Sequence, residues 1–343
     1  MIFLMKDEET IKKHLEYLGK SRHILSSTYF LEKEQGQNAE YYLYAEEAIR
    51  RGIDTYWLGL DNIGNCENET TDVKLYHLNS KKAIKTKISE LDKLSDTLVI
   101  RTIGNVTERI DLIKKVMLFL KKNYHGDIIN NPDYILYGSN KRYLLDLQNA
   151  NLPVIPTDFY IGEQDIRTIQ QRYDDPKKFI IKPAVGELSK GFYKLSDITM
   201  DWWKRKNTND YGEHGWIVQP LKEEVFEGEY QLIFFGDEFS HGQIKMAGKK
   251  EDGTPSQATR TIQTNYRPNQ DEINLCMDIK AQMEDTVRKQ LHFFRCDFFK
   301  DKFGHPSVLE FEMCNPGFFF HKRERKEDLE IAKHFLDSIS KGR

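Results

Sequence analysis

Three acidic residues near the C-terminus, with an arginine among them, stand at spacings that can hold a cation. They lie in FFRCDFFKDKFGHPSVLEFEMCNPG, Phe293–Gly317, where two strand-like runs flank a turn containing Gly304 and Pro306. With the turn centred between Phe303 and Gly304, Asp297 falls opposite Glu310 and Arg295 opposite Glu312. Side chains alternate between faces along a strand, so Arg295, Asp297, Glu310 and Glu312 share one face. Phe294, Cys296, Phe298, Leu309, Phe311 and Met313 share the other. Opposed carboxylates repel, and one guanidinium among three acids leaves a local charge near −2. A hard divalent cation such as magnesium resolves that repulsion through oxygen ligands. A half-buried hairpin whose charged face simply meets water is the alternative.

A second group surrounds Lys182. This lysine ends the apolar run FIIK and precedes Pro183-Ala184-Val185-Gly186-Glu187-Leu188-Ser189-Lys190-Gly191. Small residues let backbone N–H groups approach phosphate oxygens, and lysines supply charge. No GK[ST] follows, so this is not the Walker pattern, and an ordinary β-turn explains it equally well. Further on, Ile217–Gln219 is an apolar strand that ends in a free amide. Pro220-Leu221 and the acids Glu223, Glu224 and Glu229 come next. Such a strand end can present donors and acceptors to an adenine edge, and an acid can receive ribose hydroxyls. An edge strand with solvated glutamates fits too.

The elements that must position these groups change character along the chain. His23–Phe30 and Asp54–Leu60 read as strands around a helical YYLYAEEAIRRG. Thr97–Gly104 is a strand, Glu108–His125 has apolar residues at helical spacing, and Asp127–Asn130 is a short strand. This alternation implies βαβ units and a parallel sheet, over about residues 1–130. Beyond it the pattern is α+β. Helices are expected at Lys141–Ala150, Glu163–Tyr173, Gln270–His292 and Glu327–Ser340. Strands are expected at Val154–Tyr160, Lys178–Pro183, Gly191–Leu195, Trp216–Gln219, Tyr230–Phe235, Glu238–Lys245, Phe293–Phe299 and Ser307–Met313, mostly antiparallel.

The bulk properties narrow the function. In 343 residues, 51 basic and 54 acidic side chains give a net charge of −3. That balance offers no general reason to bind nucleic acid or an anionic membrane. No apolar run approaches the roughly 20 residues of a membrane span. Met1–Met5 is too short for a signal core and lacks its basic start. Cys66, Cys276, Cys296 and Cys314 show no zinc spacing and read as small buried hydrophobes. A reducing cytoplasm is the expected compartment.

In chain order, these residues resemble the ATP-grasp superfamily, most closely its glutathione-synthetase-like and cycloserine-pathway-like ligases. The resemblance covers about residues 128–335. Asn131-Pro132 with Lys141 is similar to the opening of the nucleotide cleft. Lys182-Pro183-Ala184-Val185-Gly186 is similar to the second lysine and flexible loop. Val218-Gln219-Pro220 resembles the hinge, Gly228-Glu229 the acid after it, and Phe234-Phe235-Gly236 with Phe239-Ser240-His241 the next hairpin. Arg295-Cys296-Asp297 matches the Arg-x-Asp motif, and Glu310-Phe311-Glu312 the Glu-x-Asn or Glu-x-Glu motif. The first 125 residues match only as a generic βαβ domain of the kind that precedes this fold.

The resemblance implies an N-terminal α/β domain (1–130), a lid and linker subdomain (131–222) and a C-terminal subdomain carrying the metal site (223–343). ATP would lie between the two α+β subdomains. Lys141, Lys182, Glu187, Ser189 and Gly191 would contact the nucleotide, Gln219 and Leu221 its adenine, and Glu223 or Glu229 its ribose. Asp297, Glu310 and Glu312 would carry Mg2+. Arg295 would face the acyl-phosphate or tetrahedral oxyanion, and Arg260 a phosphate or substrate. Glu312 stands where many members have asparagine, and Gln231 where glutathione synthetases have arginine, which argues against that activity. Arg101-Thr102 occupies a place that can face acceptor substrate or simply end a strand. The implied reaction ligates a carboxylate of a small molecule or peptide to an amine through an acyl-phosphate, and a homodimer is common in these families. The alternatives are a kinase of the same fold and a non-catalytic nucleotide-binding protein, against which the intact Lys182, Asp297 and Glu310 argue.

Overall fold

The computed structural model describes residues 1–20, 39–161, 164–186, 191–207, 213–249, 255–320 and 323–340. Strands β1 (Ile2–Met5), β2 (Tyr56–Gly59), β3 (Asp72–His77), β4 (Lys82–Lys87), β5 (Thr97–Ile100) and β6 (Asp127–Ile129) form the first sheet, ordered β4-β3-β2-β1-β5-β6. The four strands from β2 to β6 in that order run parallel, and β3 and β4 add an antiparallel edge. The apolar Met1–Met5 thus supplies the central strand. Its unbroken hydrophobicity suits a parallel strand covered on both faces. Helices α1 (Glu8–Lys20), α2 (Ala39–Arg50) and α3 (Val106–Asn123) belong to this part. In α3, Ile110, Ile113, Val116, Met117 and Leu120 are buried, as their spacing requires, and Asn105 caps the N-terminus through Thr107 N and Glu108 N. The edge strand β4, KAIKTK, escaped the sequence reading because lysines protecting a sheet edge resemble loop composition. The expected strand His23–Phe30 lies outside the described residues.

Next, helices α4 (Pro132–Gly138) and α5 (Tyr143–Asn149) lead to a four-stranded antiparallel sheet. It comprises β7 (Asp158–Tyr160), β8 (Phe179–Pro183), β9 (Tyr193–Lys194) and β10 (Trp216–Pro220), ordered β7-β10-β8-β9. The strand expected over Val154–Tyr160 is shorter here: Val154 only bridges to Val308, and the sheet begins at Asp158. Pro153 and Pro156 remove the N–H groups a longer ladder would need. Likewise, the helix expected over Glu163–Tyr173 is helical only at Ile166–Gln170.

The third sheet is antiparallel throughout: β11 (Glu229–Phe235), β12 (Glu238–Lys249), β13 (Pro255–Tyr266), β14 (Phe293–Lys300) and β15 (Pro306–Glu312), ordered β13-β12-β11-β14-β15. The polar, threonine-rich β13 gave no strand signal and is the outer strand. Helix α6 (Gln270–Val287) ends earlier than expected, because Arg288 adopts a left-handed cap with φ 59°. Helix α7 (Arg325–Ser340) ties this sheet back to α2 through Arg325–Glu46 at 3.0 Å and Arg51–Asp337 at 2.6 Å. Among the described residues no helix is long and apolar enough to cross a membrane. All four cysteines are buried and free.

Candidate active site

The acidic hairpin pairs as its sequence predicts, with Asp297 opposite Glu310 and Arg295 opposite Glu312. Beyond Asp297 the register shifts, and Phe298 pairs with Val308. The bulge leaves Leu309 unpaired, so Val308 joins Phe294, Cys296, Phe298, Phe311 and Met313 in the core. This corrects the assignment of Leu309 to that face. Arg295 grips Asp297 with a two-pronged contact, Nε to Oδ1 at 2.7 Å and Nη2 to Oδ2 at 2.9 Å, and Asp297 is only 2% exposed. The contact uses Nε and Nη2 and leaves Nη1 outside it.

The polar row extends further than sequence reading found. Gln231 pairs with both Asp297 and Gln243, so Gln243, Gln231, Asp297 and Glu310 line up across four strands. Gln243 Nε2 donates to Gln231 Oε1 at 2.7 Å. Gln231 Nε2 in turn donates to Asp297 Oδ2 at 3.0 Å and to Glu229 Oε1 at 2.8 Å. Lys245 completes the row, 2.5 Å from Glu229. Only period-2 alternation in β12, read together with the β11–β12 register, could have singled out Gln243 and Lys245.

Lys141 and Lys182 reach this face from other elements. Lys141 sits in the turn before α5, where its N–H donates to Ala184 O at 2.8 Å. Its Nζ donates to Gly186 O and lies 3.0 Å from Glu310 Oε1. Burial opposes the Lys141 charge, but Glu310 and Glu312 outweigh it and raise its pKa above the ordinary value. Lys182 on β8 is pushed down to about 8 by burial and by Lys141. Burial would raise the Glu310 carboxyl, yet Lys141, Lys182 and Arg295 pull it to about 2. Burial and Glu310 raise Glu312, whose Oε1 accepts from Cys314 N at 3.1 Å and Asn315 N at 3.0 Å. Burial also raises Glu229, with Asp297 adding to it against the pull of Lys245. The charge near −2 on the hairpin alone is therefore offset by two lysines that its own sequence could not reveal.

Some expected residues stand apart. The Gln219 amide is not free: it is buried and donates to Thr157 Oγ1 at 2.9 Å. Leu221 N donates to Lys178 O at 2.8 Å. Glu223 is 70% exposed and pairs with Lys249 at 2.6 Å, which leaves Glu229 as the more buried acid of the two. Arg260 is exposed on β13, three strands from β14. Gly191 is described, with φ +76°. Glu187 and Ser189 lie outside the described residues. Arg101 is buried under the ring of Phe318, 3.7 Å from its centroid, against the loop that follows β15.

Asn130 is a positioning residue the sequence reading passed over. It is fully buried, and its Nδ2 donates to Phe293 O at 2.7 Å and Met313 O at 3.2 Å. Its Oδ1 accepts from His292 N at 3.0 Å and Phe293 N at 3.2 Å, so one amide fixes the start of β14 against the end of β15. Gly138 packs against the same strand end. A Cβ there would sit 2.6 Å from Met313 Cγ and 2.8 Å from Cys314 Sγ. Gly138→Ala should therefore lower stability by about 1–2 kcal/mol, despite the helix propensity of alanine. Urea unfolding measures it, and an unchanged or raised midpoint would show that Met313 yields freely.

Among the described residues, no three His, Cys, Asp or Glu are gathered as a ready-made metal cluster. Asp297, Glu310 and Glu312 do share one face of the hairpin, and their carboxylate oxygens are the hard donors magnesium takes. In this arrangement Asp297 is held by Arg295, and Glu310 by Lys141.

No family model matches the chain. Among solved structures, D-cycloserine synthetase DcsG superposes with a TM-score of 0.68 at 20% identity, covering 98% of each chain. The ATP-grasp ligase PsnB, in complex with a minimal precursor, superposes with a TM-score of 0.56 at 13% identity, covering 88% of this chain and 96% of PsnB. The chain has the ATP-grasp fold. In sequence it is 28% identical over 200 residues to the cycloserine biosynthesis protein DcsG of Streptomyces lavendulae, a match spanning 55% of this chain and 66% of that protein, just under two thirds of its length. Within this fold, the lysines come from the middle sheet and the turn beside it, and the acids from the third sheet.

Proposed function

We propose that this ATP-grasp chain is an ATP- and Mg2+-dependent ligase that joins a carboxylate to an amine through an acyl-phosphate. The observation that carries the reading is the convergence of Lys141 and Lys182 on Glu310, beside the Arg295–Asp297 pair. Phosphoryl transfer calls for positioning and charge neutralisation more than covalent help from the protein. Lys141 and Lys182 would hold phosphate oxygens, with Glu187, Ser189 and Gly191 in the loop between β8 and β9 beside them. Arg295 would present its Nη1 side to the oxyanion that develops at the reacting carbonyl. Asp297, Glu310 and Glu312 are the residues that would hold magnesium, which when bound neutralises phosphate charge. Glu229 is the better-placed acid for a ribose hydroxyl, since Glu223 is exposed and paired. Adenine would be held by backbone groups of the β10 end other than Leu221 N.

The substrates would be a small molecule or peptide with a carboxylate and an amine acceptor, in the cytoplasm. Division at 1–130, 131–222 and 223–343 suits this reading, because each sheet then lies within one part. ATP with Mg2+ should raise the melting temperature, by about 2.7 kcal/mol of added stability at a hundredfold excess over its Kd. No shift in folded protein at millimolar ATP would contradict the nucleotide reading.

A further inference from the structure

One guanidinium near the site is not used by the chemistry above. Arg323 is half-buried, and its hydrogen bonds go to neutral oxygens: Nε to Asn265 Oδ1 at 3.3 Å and Nη1 to Phe319 O at 3.2 Å. Among the described residues its buried Nη2 has no hydrogen-bond partner. Burial lowers its pKa below the ordinary arginine value, although Asp328 and Glu327 pull the other way. A buried donor left without an acceptor is destabilising, and structures retain few of them.

Both residues that hold Arg323, Asn265 by its side chain and Phe319 by its carbonyl, have unusual backbone. Asn265 has φ 64° and is the extra residue of a bulge, since Gly242 pairs with Tyr266 but Gln243 with Thr264. Phe319 has φ 55°, a left-handed conformation unfavourable for a bulky side chain. Such conformations persist where surrounding structure enforces them, and they cluster at ligand sites. Arg323 also adjoins the sheet that carries the site, through Asn265 on β13. By register, His241 and Gln243 share the sheet face of Arg295 and Asp297. After burial, the charge of Arg323 helps hold His241 down to about 3. Phe319 links the two arginines, its carbonyl on Arg323 and its ring 5.2 Å from Arg295.

We infer that Arg323 is the receptor for a second carboxylate on the substrate, one that is not consumed in the reaction. The inference rests on the ligase reading and narrows its substrate to a molecule with a carboxylate beyond the reacting one, such as a free amino acid or a peptide terminus. An arginine held at Nε and Nη1 still offers Nη2 to an oxyanion, and the planar fork suits a carboxylate better than an ammonium point charge would.

The test measures melting temperature for the full chain with ADP and Mg2+, with alanine, alanyl-alanine or alaninamide added up to tens of millimolar. Wild-type protein should respond to alanine or alanyl-alanine and not to alaninamide, which lacks the carboxylate. Response to alanine alone indicates a free amino acid, and response to the dipeptide alone a peptide terminus. Arg323→Gln should weaken the response about tenfold or more, and Arg323→Lys should recover part of it. If Arg323→Gln does not fold, the acid-to-amide ratio in wild type against Arg323→Lys decides. Equal binding in Arg323→Gln and wild type, equal binding of acid and amide, or no response in wild type overturns the inference. An intact response to ADP and Mg2+ alongside such a failure leaves the nucleotide reading standing, whereas loss of that response contradicts both.

Discussion

Glu310→Gln lowers ATP turnover by about 100-fold or more while the protein remains folded. The substitution keeps the shape of the side chain and removes one charge. In the folded protein that charge lies 3.0 Å from Lys141, opposite Asp297, and is held ionised by Lys141, Lys182 and Arg295. Its removal would replace a charged oxygen donor for magnesium by a neutral one and take from Lys141 its anionic partner, with the Gly186 carbonyl still at Nζ. It also withdraws an attraction that supports the charge of Lys182. The side chain of Glu310 is 32% exposed, so solvent screens the lost ion pair and the effect on stability is small. A merely solvated acidic face forecasts the reverse: less repulsion, slightly higher stability and unchanged activity. Turnover across a magnesium titration, measured beside thermal melting, separates the two. Wild-type turnover at every magnesium concentration would remove Glu310 from the site.

Lys182→Ala weakens nucleotide affinity by about 10- to 100-fold, the effect of losing a charge-assisted contact to phosphate. The wild-type affinity should also depend on pH in a way the variant does not. Lys182 is held down to about 8, so the free protein carries this charge below that pH and loses it above. Phosphate favours the charged form, so affinity falls as pH rises through about 8, and binding near that pH takes up a proton. The contribution of Lys182 to the stability of ligand-free protein has the opposite sign. Its folded value lies below the unfolded one near 10.5, so the unfolded chain binds more protons between about 8 and 10.5 and stability rises with pH there. Calorimetric titration with ATP and Mg2+ in two buffers reads both affinity and proton uptake. An identical pH profile in Lys182→Ala would return Lys182 to the role of a strand-end lysine.

The hairpin was legible because two local signals agree: alternation along each strand and a Gly–Pro turn of fixed length. These set Asp297 against Glu310 correctly, and failed one step further on, where the bulge at Leu309 changes the count without a sequence mark. The alternating first sheet was legible for the same reason, through α3 and β5. Residues whose role depends on distant partners were not. The four bonds of Asn130 reach residues more than 160 positions away, and Gln243 matters through Gln231 on another strand. Gln219 looked free because Thr157, which accepts its amide, is 62 residues distant. Composition misled where edge strands are polar, as in β4 and β13.

The most direct test of ligation is the mass of the product. ATP, Mg2+ and a mixture of amino acids and dipeptides should yield ADP and a compound whose mass equals two substrates less one water. ADP accompanied by a phosphorylated substrate, with no condensed product, would contradict the ligase account and favour a kinase on the same fold.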